Sequence, residues 1–141
     1  MKVLVFVLLL QLTEIASQCP ATGEITKNEL DRALFVAKIQ VDGELPRDKH
    51  FFLYNIHYSD FYFSYHDLAY TKRKAPTTVA LSSRCPPLVK GKTYILGCWK
   101  YDKHRCDRMV REFDKLTEGE KQLIRSMKTS AYYYYLDGKE L

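Results

Sequence analysis

The sequence predicts a mainly β fold with flanking helices (α+β), a five-stranded OB-like Greek-key barrel with two disulfides. Three observations lead there. Five short apolar or aromatic segments are separated by turn-forming residues. Two capping-box sequences, Thr26-Lys27-Asn28-Glu29 and Thr117-Glu118-Gly119-Glu120, mark helix starts at either end of them. Aromatic residues make up 13% of the chain and include 11 Tyr, a composition that favours strands. The rival β architecture, an immunoglobulin-like sandwich, wants about seven short strands and no capped helix near its end.

Taken in order, the first capping box opens a short helix from about Lys27 to Ala33. Leu34 to Val41 then reads as a strand, apolar and partly alternating, broken by Asp42-Gly43-Glu44 and Pro46. From His50 onward, Phe52, Tyr54, Ile56 and Tyr58 recur at period two, and aromatics continue to Tyr65. This is one long, bent strand with a bulge near Ser59-Asp60. Ala69 to Pro76 is expected as a loop. Thr77 to Leu81 is a third strand, ended by Pro86-Pro87. Lys90-Gly91-Lys92 turns the chain into a fourth strand, Thr93 to Trp99, and a fifth surrounds Arg105 to Val110. The second capping box opens a helix to about Lys128, with Leu116, Leu123, Ile124 and Met127 as its core-facing stripe. The tail Ala131-Tyr132-Tyr133-Tyr134-Tyr135-Leu136 is expected as an extra edge strand or an aromatic patch.

Residues 1–18 carry a basic start at Lys2, an apolar run from Val3 to Leu10 and a polar exit, the pattern of a secretory signal peptide too short for a membrane span. Cleavage falls after Ser17 or Gln18 and leaves residues 19–141 as a single domain, long enough to bury a real core. The protein is therefore expected to be secreted and extracellular, without membrane insertion. The carboxyl end, Gly138-Lys139-Glu140-Leu141, only half resembles an endoplasmic-reticulum retrieval signal, because Lys139 stands where that signal wants Asp.

Four cysteines remain: Cys19, Cys85, Cys98 and Cys106. An even count in an exported chain points to two disulfides. Of the three pairings, Cys19–Cys85 with Cys98–Cys106 is expected; the first ties the N-terminus to the core and the second staples adjacent strands across a short loop. A zinc site fits poorly, since there is no Cys-x-x-Cys and no His at ligand spacing from a cysteine pair.

The net charge of +5 directs a secreted protein to sulfated glycosaminoglycans and acidic surfaces rather than to nucleic acid. Lys72-Arg73-Lys74 is the sharpest basic run and the candidate contact for heparan sulfate, against the plainer reading of a solvated loop. No nucleotide loop, nucleophile elbow or metal-binding His pair occurs, so no catalytic residue is assigned, no cofactor or metal is expected, and the chain reads as a non-enzyme. Ser82-Ser83 have no motif-defined partner, His57 lies in the aromatic strand, and Glu118 and Glu120 are explained by helix capping.

Several short motifs occur in one order: a cysteine just after the signal, Ala33-Leu34-Phe35-Val36-Ala37-Lys38, Ser82-Ser83-Arg84-Cys85, Gly91-Lys92-Thr93-Tyr94-Ile95-Leu96, Cys106-Asp107, and Phe113-Asp114-Lys115-Leu116-Thr117 ahead of a helix. In these the chain resembles the netrin-like module of the tissue inhibitors of metalloproteinases, and among them the single-domain proteins secreted by nematodes, including hookworms. The resemblance implies an OB-like barrel and a binding function. In the inhibitors, the amine and carbonyl of an N-terminal cysteine chelate the protease zinc, so the ridge implied here is Cys19, Pro20, Ala21 and Thr22 beside Ser83, Arg84, Cys85 and Pro86. Cys19 would ligate the zinc of a matrix metalloproteinase only if it were N-terminal.

Three departures weigh against that mechanism. The family's Cys-x-Cys start is Cys19-Pro20-Ala21 here, which leaves Cys98 as the natural partner of Cys106. Pro20 stands where a pocket-filling side chain belongs and lacks an N–H. Cleavage after Ser17 would leave Gln18 ahead of Cys19. The resemblance thus implies an extracellular protein target, a receptor or an immune-cell target, through which inflammation is damped, with inhibition of a matrix metalloproteinase through Cys19 as the alternative.

Overall fold

The computed structural model describes residues 19–46, 49–99 and 106–137, the last ten of these as backbone only. The expected signal peptide with its cleavage point, Arg105 and the carboxyl end from residue 138 lie outside the described residues. The elements are α1 (Lys27–Arg32), β1 (Ala33–Glu44), β2 (Phe51–Ser64), α2 (Leu68–Lys74), β3 (Thr78–Ser82), β4 (Thr93–Trp99), β5 (Met109–Glu112), a short 3-10 turn (Phe113–Lys115) and α3 (Glu118–Asp137).

The five strands form one antiparallel sheet in the order β3-β2-β1-β4-β5. The sheet curls as a half-barrel, with β3 and β5 as its edges; among the described residues no ladder closes the seam between them. Irregular pairing along β1 and β2 supplies the bend. Ser59 is skipped between the pairs Lys38↔Asp60 and Ile39↔Tyr58, and Tyr62 between Val36↔Phe63 and Ala37↔Phe61. An extra residue on one strand tightens the local twist, and the first of these bulges is the one expected near Ser59-Asp60. Asp42 is the extra residue on β1. The strand does not break there: Gly43 pairs with Asn55 and Glu44 with Tyr54. The Asp-Gly signal makes a bulge because β2 continues alongside and captures the backbone.

Strand β1 is apolar on both faces because both are covered. On one face Phe35, Ala37, Ile39 and Val41 pack with Tyr54, Ile56, Leu81, Leu96 and Val110. On the other, Val36, Ile95 and Met109 lie beneath Leu30 of α1 and Ile124 and Met127 of α3. Each fully buried side chain of this size contributes about 1.5–3 kcal/mol. The expected stripe on α3 is thus core, with Leu123 only partly buried against it.

Three other expectations are corrected. The segment 69–76 is not a loop: Leu68–Lys74 is helical, because Asp67 caps it by accepting the Tyr70 N–H at 3.0 Å. The fifth strand begins at Met109, since the chain must first close the Cys98–Cys106 bridge and then align Met109 with Gly97. Gly97 makes room for that pairing, as a Cβ there would sit 2.7 Å from Met109 Sδ. Finally, Ala131–Leu136 is not an edge strand but the continuation of α3. No glycine or proline stands between Gly119 and Gly138, so nothing in the sequence stops the helix earlier. The turn at Lys90-Gly91-Lys92 holds as expected: Gly91 adopts φ +83°, and its N–H donates to Val41 O.

Candidate functional site

The ridge is assembled where the N-terminal segment meets the turn after β3. Cys19 is joined to Cys85, with 5.5 Å between their Cα atoms, and Cys98 to Cys106, the two pairs named from the sequence. The turn is tight. Ser83 N–H donates to His50 O at 2.9 Å, Cys85 N–H to Ser82 O at 2.9 Å, and Arg84 N–H to Ser82 Oγ at 3.4 Å. Cys85 is buried, while Ser83, Arg84 and Pro86 stay exposed; across the bridge Cys19 and Pro20 are half-buried and Ala21 and Thr22 exposed. The bridge therefore brings both halves of the ridge together and turns their small and polar groups outward.

Beyond the bridge, two residues that sequence reading assigned other roles or none clamp the segment. Arg111 Nε donates to Gly23 O at 3.0 Å, and its Nη2 reaches Glu29 Oε1 at 3.1 Å. Glu120 Oε1 accepts the Ile25 N–H at 2.8 Å. Both side chains are buried. The same carboxylate completes the α3 capping box by accepting the Thr117 N–H at 2.6 Å, while Thr117 Oγ1 accepts the Glu120 N–H at 3.2 Å. Burial alone would push the Glu120 carboxyl up. The hydrogen bonds from Ile25 and Thr117, with the nearby Arg111 charge, outweigh it and hold the group below its usual range. The capping box was legible in the sequence; its second duty across the fold was not, because it joins residues 95 positions apart.

The remaining candidates lie elsewhere. Lys72, Arg73 and Lys74 fall in the last turn of α2, at the opposite end of β2 from the ridge, since Phe51 pairs with Ser82 and α2 follows Ser64. His57 is exposed and pairs through Nδ1 with Asp42 Oδ1 at 2.6 Å across the β1–β2 bulge. No cluster of three or more His, Cys, Asp or Glu suited to a metal occurs among the described residues. No helix among them is long and apolar enough to cross a membrane.

No curated protein matches the chain. Among solved structures, a similar one is the crystal structure of Ancylostoma ceylanicum excretory-secretory protein 2, 24% identical in sequence. That match covers 75% of this chain and 98% of the other, with a TM-score of 0.48. A family model described as excretory-secretory protein 2 matches residues 17–125, which take in the whole sheet, both disulfides, both halves of the ridge and the start of α3. The chain belongs to the excretory-secretory protein 2 family.

Proposed function

We propose that the protein is secreted and acts without catalysis, by binding an extracellular protein of the host through the disulfide-anchored ridge, and that this binding damps an immune response. The observation that carries the reading is the ridge itself. Its outward groups, Ala21, Thr22, Ser83, Arg84 and Pro86, are exposed, yet their backbone is fixed by a disulfide and by the buried Arg111 and Glu120. A surface held rigid before contact loses little conformational freedom on binding. The signal sequence and the excretory-secretory family support export.

Zinc chelation is the weaker reading. It needs a free amine and a carbonyl on one residue, forming a five-membered ring with the metal. Cleavage after Ser17 would leave Gln18 ahead of Cys19 and turn that amine into an amide, a negligible zinc ligand. Pro20 offers a short ring with no N–H to donate, and a missing buried hydrogen bond costs about 1–3 kcal/mol, roughly ten- to a hundredfold in affinity. The test of the binding reading is attachment of labelled mature protein to leukocytes. Saturable, protease-sensitive binding that Ala21→Asp with Arg84→Glu weakens is expected. Undiminished binding by that variant, with its fold intact by circular dichroism, overturns the reading.

A further inference from the structure

We propose a second binding surface, separate from the ridge: the face around α2 takes a sulfated glycosaminoglycan chain. Two features coincide there. Three large apolar side chains lie well exposed within six residues, Tyr65 at 60%, Leu68 at 44% and Tyr70 at 44%. The two tyrosines meet His66 edge-on, with ring centroids 5.3 and 5.8 Å away, and form a continuous aromatic ledge. Directly beyond the ledge stand Lys72, Arg73 and Lys74, all exposed. Among the described residues none of the three forms an ion pair; Lys72 Nζ instead lies 5.8 Å from the Phe61 ring centroid.

The scaffold beneath is fixed. Thr71 is buried and its hydroxyl shares a 2.7 Å hydrogen bond with Ser64; the Tyr65 N–H donates to Leu34 O at 2.8 Å. The nearby carboxylates are committed to the backbone, Asp67 to the Tyr70 N–H and Asp60 to the Phe61 N–H. A cation at a helix C-terminus complements the dipole, but that accounts for one charge at the end of so short a helix, not three.

Charge and apolar surface together select the ligand. On α2, Arg73 and Lys74 stand three and four residues after Tyr70 and share its helix face, while Lys72 lies towards Phe61. A linear polyanion can follow this face, laying C–H faces of its sugar rings on the tyrosines and its sulfates against the cations.

The experiment is titration of the mature protein with a heparin octasaccharide at several salt concentrations. Binding should weaken as salt rises, because exposed charges are screened beyond about 8 Å at physiological ionic strength. Changing Lys72, Arg73 and Lys74 to Ala should weaken it about 10- to 100-fold, from three exposed pairs each worth up to about 1 kcal/mol. Tyr65→Ala with Tyr70→Ala should weaken it with the salt slope unchanged, and the ridge variant Ala21→Asp should bind as the native protein does. If the triple variant loses its fold, Arg73→Glu alone carries the test. Equal affinity for desulfated heparin, native affinity in the cation variants, or binding to phosphatidylserine vesicles in place of heparin overturns the proposal.

Discussion

Replacing Glu120 with Ala tests the link between the α3 cap and the ridge. The native carboxylate is buried and accepts two backbone N–H groups, from Ile25 at 2.8 Å and Thr117 at 2.6 Å. Truncation leaves the Ile25 N–H, itself in a buried residue, without an acceptor, at about 1–3 kcal/mol. Losing the reciprocal cap costs about another 1 kcal/mol. Removing a buried charge returns part of this, so the net loss is about 1–3 kcal/mol. For a domain of this size that lowers the melting temperature by about 4–12 °C, measurable by circular dichroism. The pH dependence carries a definite sign. Folding depresses the Glu120 pKa below its ordinary value of 4.5, so its stabilisation is present above that value and is lost as pH falls through the folded pKa. The gap between native and variant proteins should therefore narrow in acid. Hydrogen exchange at Ile25 should accelerate in the variant well beyond the change at β1 amides. A melting temperature within about 2 °C of native, or a gap that widens in acid, refutes the clamp.

Two further outcomes follow from the same structure. Changing Cys19 and Cys85 to Ala opens a loop with a sequence separation of 66, against 8 for Cys98 and Cys106; chain entropy puts the losses at about 4 and about 2.5 kcal/mol, and urea denaturation of the two variants should rank them in that order. Tyr58 donates to Pro76 O at 2.7 Å and burial raises its pKa on folding. The neutral form is thus favoured in the fold, and stability should fall as pH rises past about 10, the ordinary tyrosine value; Tyr58→Phe should cost about 1 kcal/mol at neutral pH and flatten that alkaline decline.

What the sequence revealed and what it hid divide along physical lines. Local signals were legible: the Thr26/Glu29 and Thr117/Glu120 boxes, the period-two run in β2, the bulge at Ser59 and the turn at Gly91 each depend on neighbours in the chain. Elements decided by distant partners were misread. Asp42-Gly43 reads as a stop until β2 lies beside it, and the Tyr-rich tail reads as strand until a long helix packed through Ile124 and Met127 carries it along. Asp67 caps a helix of only seven residues, too short for an apolar period to show in the sequence. At the ridge, the even cysteine count pointed to two bridges, Cys19–Cys85 among them, and the two halves of the candidate site came from the family resemblance. Glu120 read as a capping acid and Arg111 carried no reading; only the fold shows that they hold Gly23 and Ile25.

The central claim, that the ridge binds protein without chelating zinc, meets its most direct test in titration of a matrix metalloproteinase with protein made in a eukaryotic secretion system, beside a variant carrying one extra N-terminal Ala. The account predicts that neither form inhibits at stoichiometric, nanomolar concentration and that the two are indistinguishable. Tight inhibition by the native form, abolished by the added Ala, would show that Cys19 presents a free amine to the metal and would contradict it.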